Sequence, residues 1–159
     1  MISDLLPAKN LYLFGSGTGL APFMSVIRDP ETYERFEKVI LVHGVRFISE
    51  LAYRDYIAED LLKIEGLGEE IAEKLVYYPT VTREPFINEG RITKAISEQQ
   101  IAARTGLPPI NPETDRAMLC GSPHMLRDVA AELDKLGFKV SPGIGQAGDY
   151  VIERAFVDR

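Results

Sequence analysis

Apolar residues in this chain gather into short, nearly continuous runs, separated by stretches in which they recur at helical spacing. Five runs are strand-length and rich in β-branched or aromatic residues: LYLF (11–14), VILVH (39–43), KLVYYPTV (74–81), AMLC (117–120) and DYVIERAF (149–156). The stretches between them predict helices over 22–28, 49–62, 91–100 and 124–136. In the second, Ser49 followed by Glu50 reads as a cap for a face of Leu51, Ile57, Ala58, Leu61 and Leu62. The last is sharper: Pro123 is placed to open it, Met125, Leu126, Val129, Leu133 and Leu136 form its apolar stripe, and Gly137 is placed to close it. Strand alternating with helix predicts an α/β fold, a Rossmann-like three-layer sandwich with a five-stranded parallel sheet. Covering such a sheet on both faces makes its strands apolar throughout rather than alternately. TGLPPINPET (105–114) and SPGIGQAG (141–148) interrupt the pattern and read as loops.

Length and charge narrow what such a fold can do. A chain of 159 residues suits one domain, read as 11–159, while MISDLLPAKN (1–10) reads as the end of an interdomain linker. No apolar run approaches the roughly 20 residues that span a bilayer, and no signal sequence is visible. A cytoplasmic protein without membrane insertion is therefore expected. A net charge of −6, with no block of consecutive Lys and Arg, argues against nucleic acid as a partner. The single cysteine, Cys120, excludes an intrachain disulfide, and the two histidines, His43 and His124, stand apart from any acidic cluster, so no metal site is expected.

Candidate chemistry begins at GSGTGLAPF (15–23), directly after the first strand run. Strand, glycines and helix in that order let backbone N–H groups converge on an anion, and Thr18 adds a hydroxyl donor. The spacing is G-x-G-x-G, whereas the dinucleotide fingerprint is G-x-G-x-x-G, so the loop taken alone reads first as a tight strand-to-helix turn. The acid that holds the ribose of NAD is also missing: the second strand ends in His43, Gly44, Val45 and Arg46. Arg46, Arg83, Arg91, Arg116 and Arg127 instead offer guanidinium groups suited to a 2′-phosphate, which points toward NADP.

Taken in order, GSGTGLAPFMS, VHGVR with SELAYRDYI, YYPTVTREPF with GRI, RAMLCGSPHML and GDYVIERAFV resemble the NADP-binding domain of bacterial ferredoxin(flavodoxin)–NADP reductases. The likeness runs over residues 2–157. It implies that Gly17, Thr18, Gly19 and Leu20 follow the pyrophosphate and nicotinamide, and that Arg83 and Arg116, with Arg91 and Arg127, contact the adenosine phosphates. It also implies that Cys120 and Gly121 lie beside the nicotinamide, that Glu153 and Ala155 complete the hydride-transfer site, and that Phe156 and Val157 touch FAD. Without the motif, Cys120 would read as a small buried hydrophobe and Glu153 as an exposed strand residue. Where relatives often carry an arginine, Gly143 stands in SPGIGQAG, which departs from the pattern. The implied activity is hydride exchange between NADP(H) and FAD held mainly by a separate FAD-binding domain of the same enzyme, with ferredoxin or flavodoxin as electron partner. Alternatives are a stand-alone nucleotide-binding or regulatory module and the reductase component of an oxygenase. An apolar patch is expected where the flavin domain would pack, near Phe23, Cys120 and the tail.

Overall fold

Burial decides the layers. In the computed structural model, which describes residues 2–143 and 145–153, the strands β1 (Asn10–Ser16), β2 (Lys38–Val45), β3 (Leu75–Val81), β4 (Asp115–Cys120) and β5 (Tyr150–Ile152) form one parallel sheet in the order β3-β2-β1-β4-β5. Successive side chains point to opposite faces. Leu11 and Leu13 of β1 therefore join one core with α1 (Ala21–Ile27), α2 (Pro30–Arg35) and α3 (Gly68–Lys74), while Tyr12 and Phe14 join the other. That second core is closed by α4 (Ile92–Ser97), α5 (Gln100–Thr105) and α6 (Pro123–Lys135). The expected α/β sandwich is present. Pro79, which cannot donate to a ladder, falls in β3 at the sheet edge.

Helix α6 follows its sequence signals. The Ser122 hydroxyl oxygen accepts from the Met125 N–H at 3.2 Å, Pro123 stands in the first turn, and Gly137 takes the left-handed conformation at φ +98° that ends the helix. Of the expected stripe, Met125, Leu126, Val129 and Leu133 are buried, whereas Leu136 is exposed.

Two expected helices are broken, each for a packing reason. Over 49–62 the chain makes a 3₁₀ turn at Ile48–Glu50, a π-helical turn at Tyr56–Asp60 and a 3₁₀ turn at Leu61–Lys63. Leu51 packs with Val45 and Val81 in a small separate cluster, while Ile57 and Leu61 belong to the main core. One straight helix cannot serve both. Over 91–100 the break comes at Gln99, which sits at φ +53° between α4 and α5. At about 100° per residue, Ile101 would face away from Ile92 on a continuous helix; the break turns it into the same core. Phe23 and Cys120, expected at an exposed patch, are both fully buried because each points into the core beneath α1. The segment before β1 also packs inward, with Leu5 in the core and bridged to Gly148. Among the described residues, no helix is long and apolar enough to cross a membrane.

Candidate functional site

The chain leaves β1 and β4 toward opposite faces, since β1 leads to α1 and β4 to α6, and a cleft opens at the carboxyl ends of the strands where they part. This is the switch point at which open parallel sheets bind ligands. Its volume is about 1050 Å³, and its walls come from the loops after β1, β2, β3 and β4 together with the start of α4.

Glycines shape its floor. Gly17 adopts φ +54°, which lets GTGL (17–20) turn as a 3₁₀ helix straight off β1. A Cβ at Gly19 would lie 2.5 Å from the carbonyl oxygen of Cys120, and one at Gly121 would collide with the Ser16 hydroxyl and lie 3.0 Å from the Met125 sulfur. The glycine loop and the CGSP turn therefore interlock at backbone distance, two motifs that lie a hundred residues apart in sequence. Beneath them His43 is almost wholly buried, and its Nε2 donates to the Gly17 carbonyl at 2.9 Å. Its Nδ1 has no partner among the described residues. Burial pushes the His43 pKa down, against the Gly17 carbonyl and the Glu50 charge, so the ring is neutral.

Positive charge gathers around the same cleft. The cleft is lined by Arg46, Arg83, Arg91 and Lys94 and by a single carboxylate, Glu50, in a chain whose net charge is −6. Main-chain bonds bring the first two together: Thr82 N–H donates to the Val45 carbonyl at 3.0 Å and Arg83 N–H to the Arg46 carbonyl at 2.9 Å. Arg46 meets Glu50 at 3.5 Å, and Arg91 bridges to Asp128 of α6 at 2.9 Å. The Arg83 guanidinium and Lys94 ammonium have no hydrogen-bond or ion-pair partner among the described residues. Unpaired cations beside glycine-rich backbone can hold a phosphate monoester at one end and a pyrophosphate along the floor.

The sequence matches the family model of the oxidoreductase NAD-binding domain over residues 13–131. The chain belongs to this family. It is 60% identical over 156 residues to a ferredoxin–NADP reductase of Pseudomonas aeruginosa and 59% identical over 157 residues to one of Azotobacter vinelandii. These matches cover 98% and 99% of this chain but 60% and 61% of the relatives, so the chain spans less than two thirds of their length. A solved ferredoxin NADP+ reductase from Neisseria gonorrhoeae, with FAD and NADP bound, is similar at a TM-score of 0.81 and 27% identity, over 96% of this chain and 58% of that one.

Within this oxidoreductase NAD-binding domain, Gly17, Gly19, Gly121, Arg83 and Arg91 all line the cleft. Thr18 lies in the same turn, though its side chain falls outside what is described. Arg116 does not reach the site. It stands near the amino end of β4, buried, and donates to the carbonyls of Leu6, Pro7, Pro112 and Asp115 with Asp149 3.6 Å away. The resemblance carried by RAMLCGSPHML made it read as a phosphate ligand; register puts it at the wrong end. Arg127 is outside the lining and donates to His124 Nδ1 at 2.7 Å; it is His124 that faces the cleft. Leu20 is fully buried in the core and lines nothing. Cys120 also lies behind the lining, and burial, then the nearby Glu153 charge, pushes its thiol up to about 11. Glu153 is half-buried and its N–H donates to the Leu119 carbonyl at 2.7 Å. Ala155, Phe156 and Val157 lie outside the described residues.

Lys94 and Glu50 are lining residues that the sequence did not offer as site residues. For Lys94 the signal was its place one helical turn after Arg91. Glu50 does cap, its Oε1 accepting the Phe47 N–H at 3.0 Å, but nothing in the sequence pattern placed it at the cleft.

Proposed function

We propose that the cleft binds NADP(H) and that this domain is the C-terminal, nucleotide-holding part of a flavin-dependent ferredoxin or flavodoxin–NADP reductase. One observation carries the reading: the glycine-floored cleft is lined by Arg46 and Arg83, joined through the main chain, and by Lys94, and among the described residues the Arg83 and Lys94 cations have no partner, which suits the adenosine 2′-phosphate that separates NADP from NAD. NAD and NADP share every other recognition group, so a surplus of cations in the cleft favours NADP. The likeness to reductases of P. aeruginosa and A. vinelandii supports the same assignment.

In this reading the glycine loop cradles the pyrophosphate, with His43 holding Gly17 so that its turn stays open to the ligand. Arg46, Arg83 and Lys94 take the 2′-phosphate. The nicotinamide runs toward the Gly19–Gly121 junction, where the glycine loop and the CGSP turn pack backbone against backbone. FAD, held mainly by a separate domain of the same enzyme, supplies the hydride acceptor or donor when bound. What this chain contributes is orientation and exclusion of water; no general base is needed. Glu153, with Ala155, Phe156 and Val157, completes the side facing the flavin, and Cys120 backs the nicotinamide. Ferredoxin or flavodoxin is the electron partner, and the fully buried, unpaired Cys120 suits a reducing cytoplasm.

Calorimetric titration of the chain tests this directly. Binding of NADP+ at least about tenfold tighter than NAD+ is expected, the difference made by one desolvated phosphate–guanidinium pair. Equal affinities overturn the nucleotide assignment. Rapid NADPH oxidation by the chain with ferricyanide and no flavin domain overturns the flavin-dependent reading.

A further inference from the structure

At the end of β2, where an NAD-selective Rossmann domain carries an acid, this chain has Arg46. The fold nevertheless returns a carboxylate to that place. Glu50 lines the same end of the cleft as Arg46 and Arg83. Its Oε1 accepts the main-chain N–H of Arg46 at 3.1 Å and of Phe47 at 3.0 Å, and its Oε2 faces the Arg46 guanidinium at 3.5 Å. The Phe47 N–H, followed by the Arg46 N–H and charge, holds this carboxyl below the usual glutamate range, so it stays ionised at neutral pH. The loop it folds is the one whose Arg46 carbonyl receives the Arg83 N–H, so the same contacts set the two arginines side by side.

A free carboxylate here would accept from a ribose 2′-hydroxyl and repel a 2′-phosphate. This one is committed to its own loop, its Oε1 taken by two main-chain N–H groups and its charge set against the Arg46 guanidinium, so both effects are weakened. Resting on the nucleotide reading above, we propose that Glu50 is a positioning residue for nucleotide preference: it fixes Arg46 beside Arg83 as a clamp for the ribose 2′-phosphate and withholds the acid that would select an unphosphorylated ribose. Sequence distance hid this, since the acid comes four residues after the arginine rather than at the strand end.

Titration of the chain with 2′,5′-ADP and with 5′-AMP, which differ only in the 2′-phosphate, tests the proposal. Glu50→Ala is expected to weaken 2′,5′-ADP by about fivefold or more while moving 5′-AMP less than about twofold. Combined with Arg46→Ala, it should add nothing to the loss that Arg46→Ala causes alone, because both remove one clamp. Glu50→Gln, whose amide oxygen still accepts the two main-chain N–H groups, should restore most of the preference. If Glu50→Ala fails to fold, Glu50→Asp replaces it: the charge stays but the shorter arm cannot reach the Arg46 N–H, and the same selective loss is expected. Equal losses for both ligands, or additive losses in the double variant, overturn the proposal. An unsubstituted chain that binds the two ligands equally instead overturns the nucleotide reading, and the role of Glu50 with it.

Discussion

At the amino ends of the strands, Arg116 is buried with its guanidinium donating to four carbonyl oxygens and facing Asp149; at the carboxyl ends, Arg83 is exposed with its guanidinium bound to nothing among the described residues. In the sequence the two arginines were equally good phosphate ligands. What separates them is saturation. The amino-end rim is tied to itself: Asn10 donates to the Asp115 carboxylate, which also accepts from the Asn111 N–H, and Arg116 ties the segment before β1 to β4, leaving only the Asn10 Oδ1 of these side-chain groups without a partner among the described residues. The carboxyl-end rim is left open: among the described residues the Arg83 guanidinium and Lys94 ammonium have no partner there, and a Cβ at Gly17 would meet nothing within 4 Å. A polar group already matched by its own chain holds structure together, while one held in place but unmatched is available to a ligand.

The largest expected effect belongs to the closed rim. Arg116→Met strands Asp149 and several carbonyls, and should lower the unfolding free energy by about 3–5 kcal/mol in urea titrations, with nucleotide affinity unchanged where the chain is folded. A stable variant that has lost NADP+ binding would place Arg116 in the site after all. Next comes Gly19→Ala, which must push the glycine loop off the Cys120 carbonyl. A loss of about 1–3 kcal/mol in stability, together with weakened NADP+ binding by calorimetry, is expected, because floor and fold share that contact. Arg83→Ala should do the reverse of Arg116→Met: 2′,5′-ADP binding falls by about tenfold while stability stays within about 0.5 kcal/mol.

The smallest effect is a slope with pH. His43 is neutral in the fold, with its pKa below the ordinary value, so as pH falls the unfolded chain takes up the proton first. Its contribution to stability is intact above about pH 6.5 and is lost progressively below that. Unfolding curves between pH 5 and 7 should show this decline, and His43→Gln should flatten it. An unchanged slope would mean that other groups govern the acid limb.

The layers were legible because parallel strands buried on both faces must be apolar throughout, and each of the five runs overlaps an observed strand. Helix α6 was legible because Ser122, Pro123 and Gly137 mark its ends locally. Helix α2 was missed although Asp29-Pro30-Glu31 carries the same kind of signal, with the Asp29 carboxylate accepting the Glu31 N–H at 2.9 Å. The broken helices at 49–62 and 91–100 were not legible, since each break answers to clusters on other elements. In the site, the glycines could be named from sequence because backbone approach needs them. The arginines could be named but not sorted, because pairing is a property of the fold. Lys94 and Glu50 became visible only once four loops had met.

The irregular stretch that follows Glu50 has a consequence for local stability. Across 48–63 the hydrogen-bond spacing changes from 3₁₀ to π and back, so no continuous ladder ties these amides together. Such a segment opens to hydrogen exchange well below the free energy of global unfolding. A ligand that grips Arg46 pulls on the head of this segment without touching the rest of it. Its arrival would then be recorded as slower amide exchange through the 50s and early 60s, an ordering of backbone remote from any contact rather than a displacement.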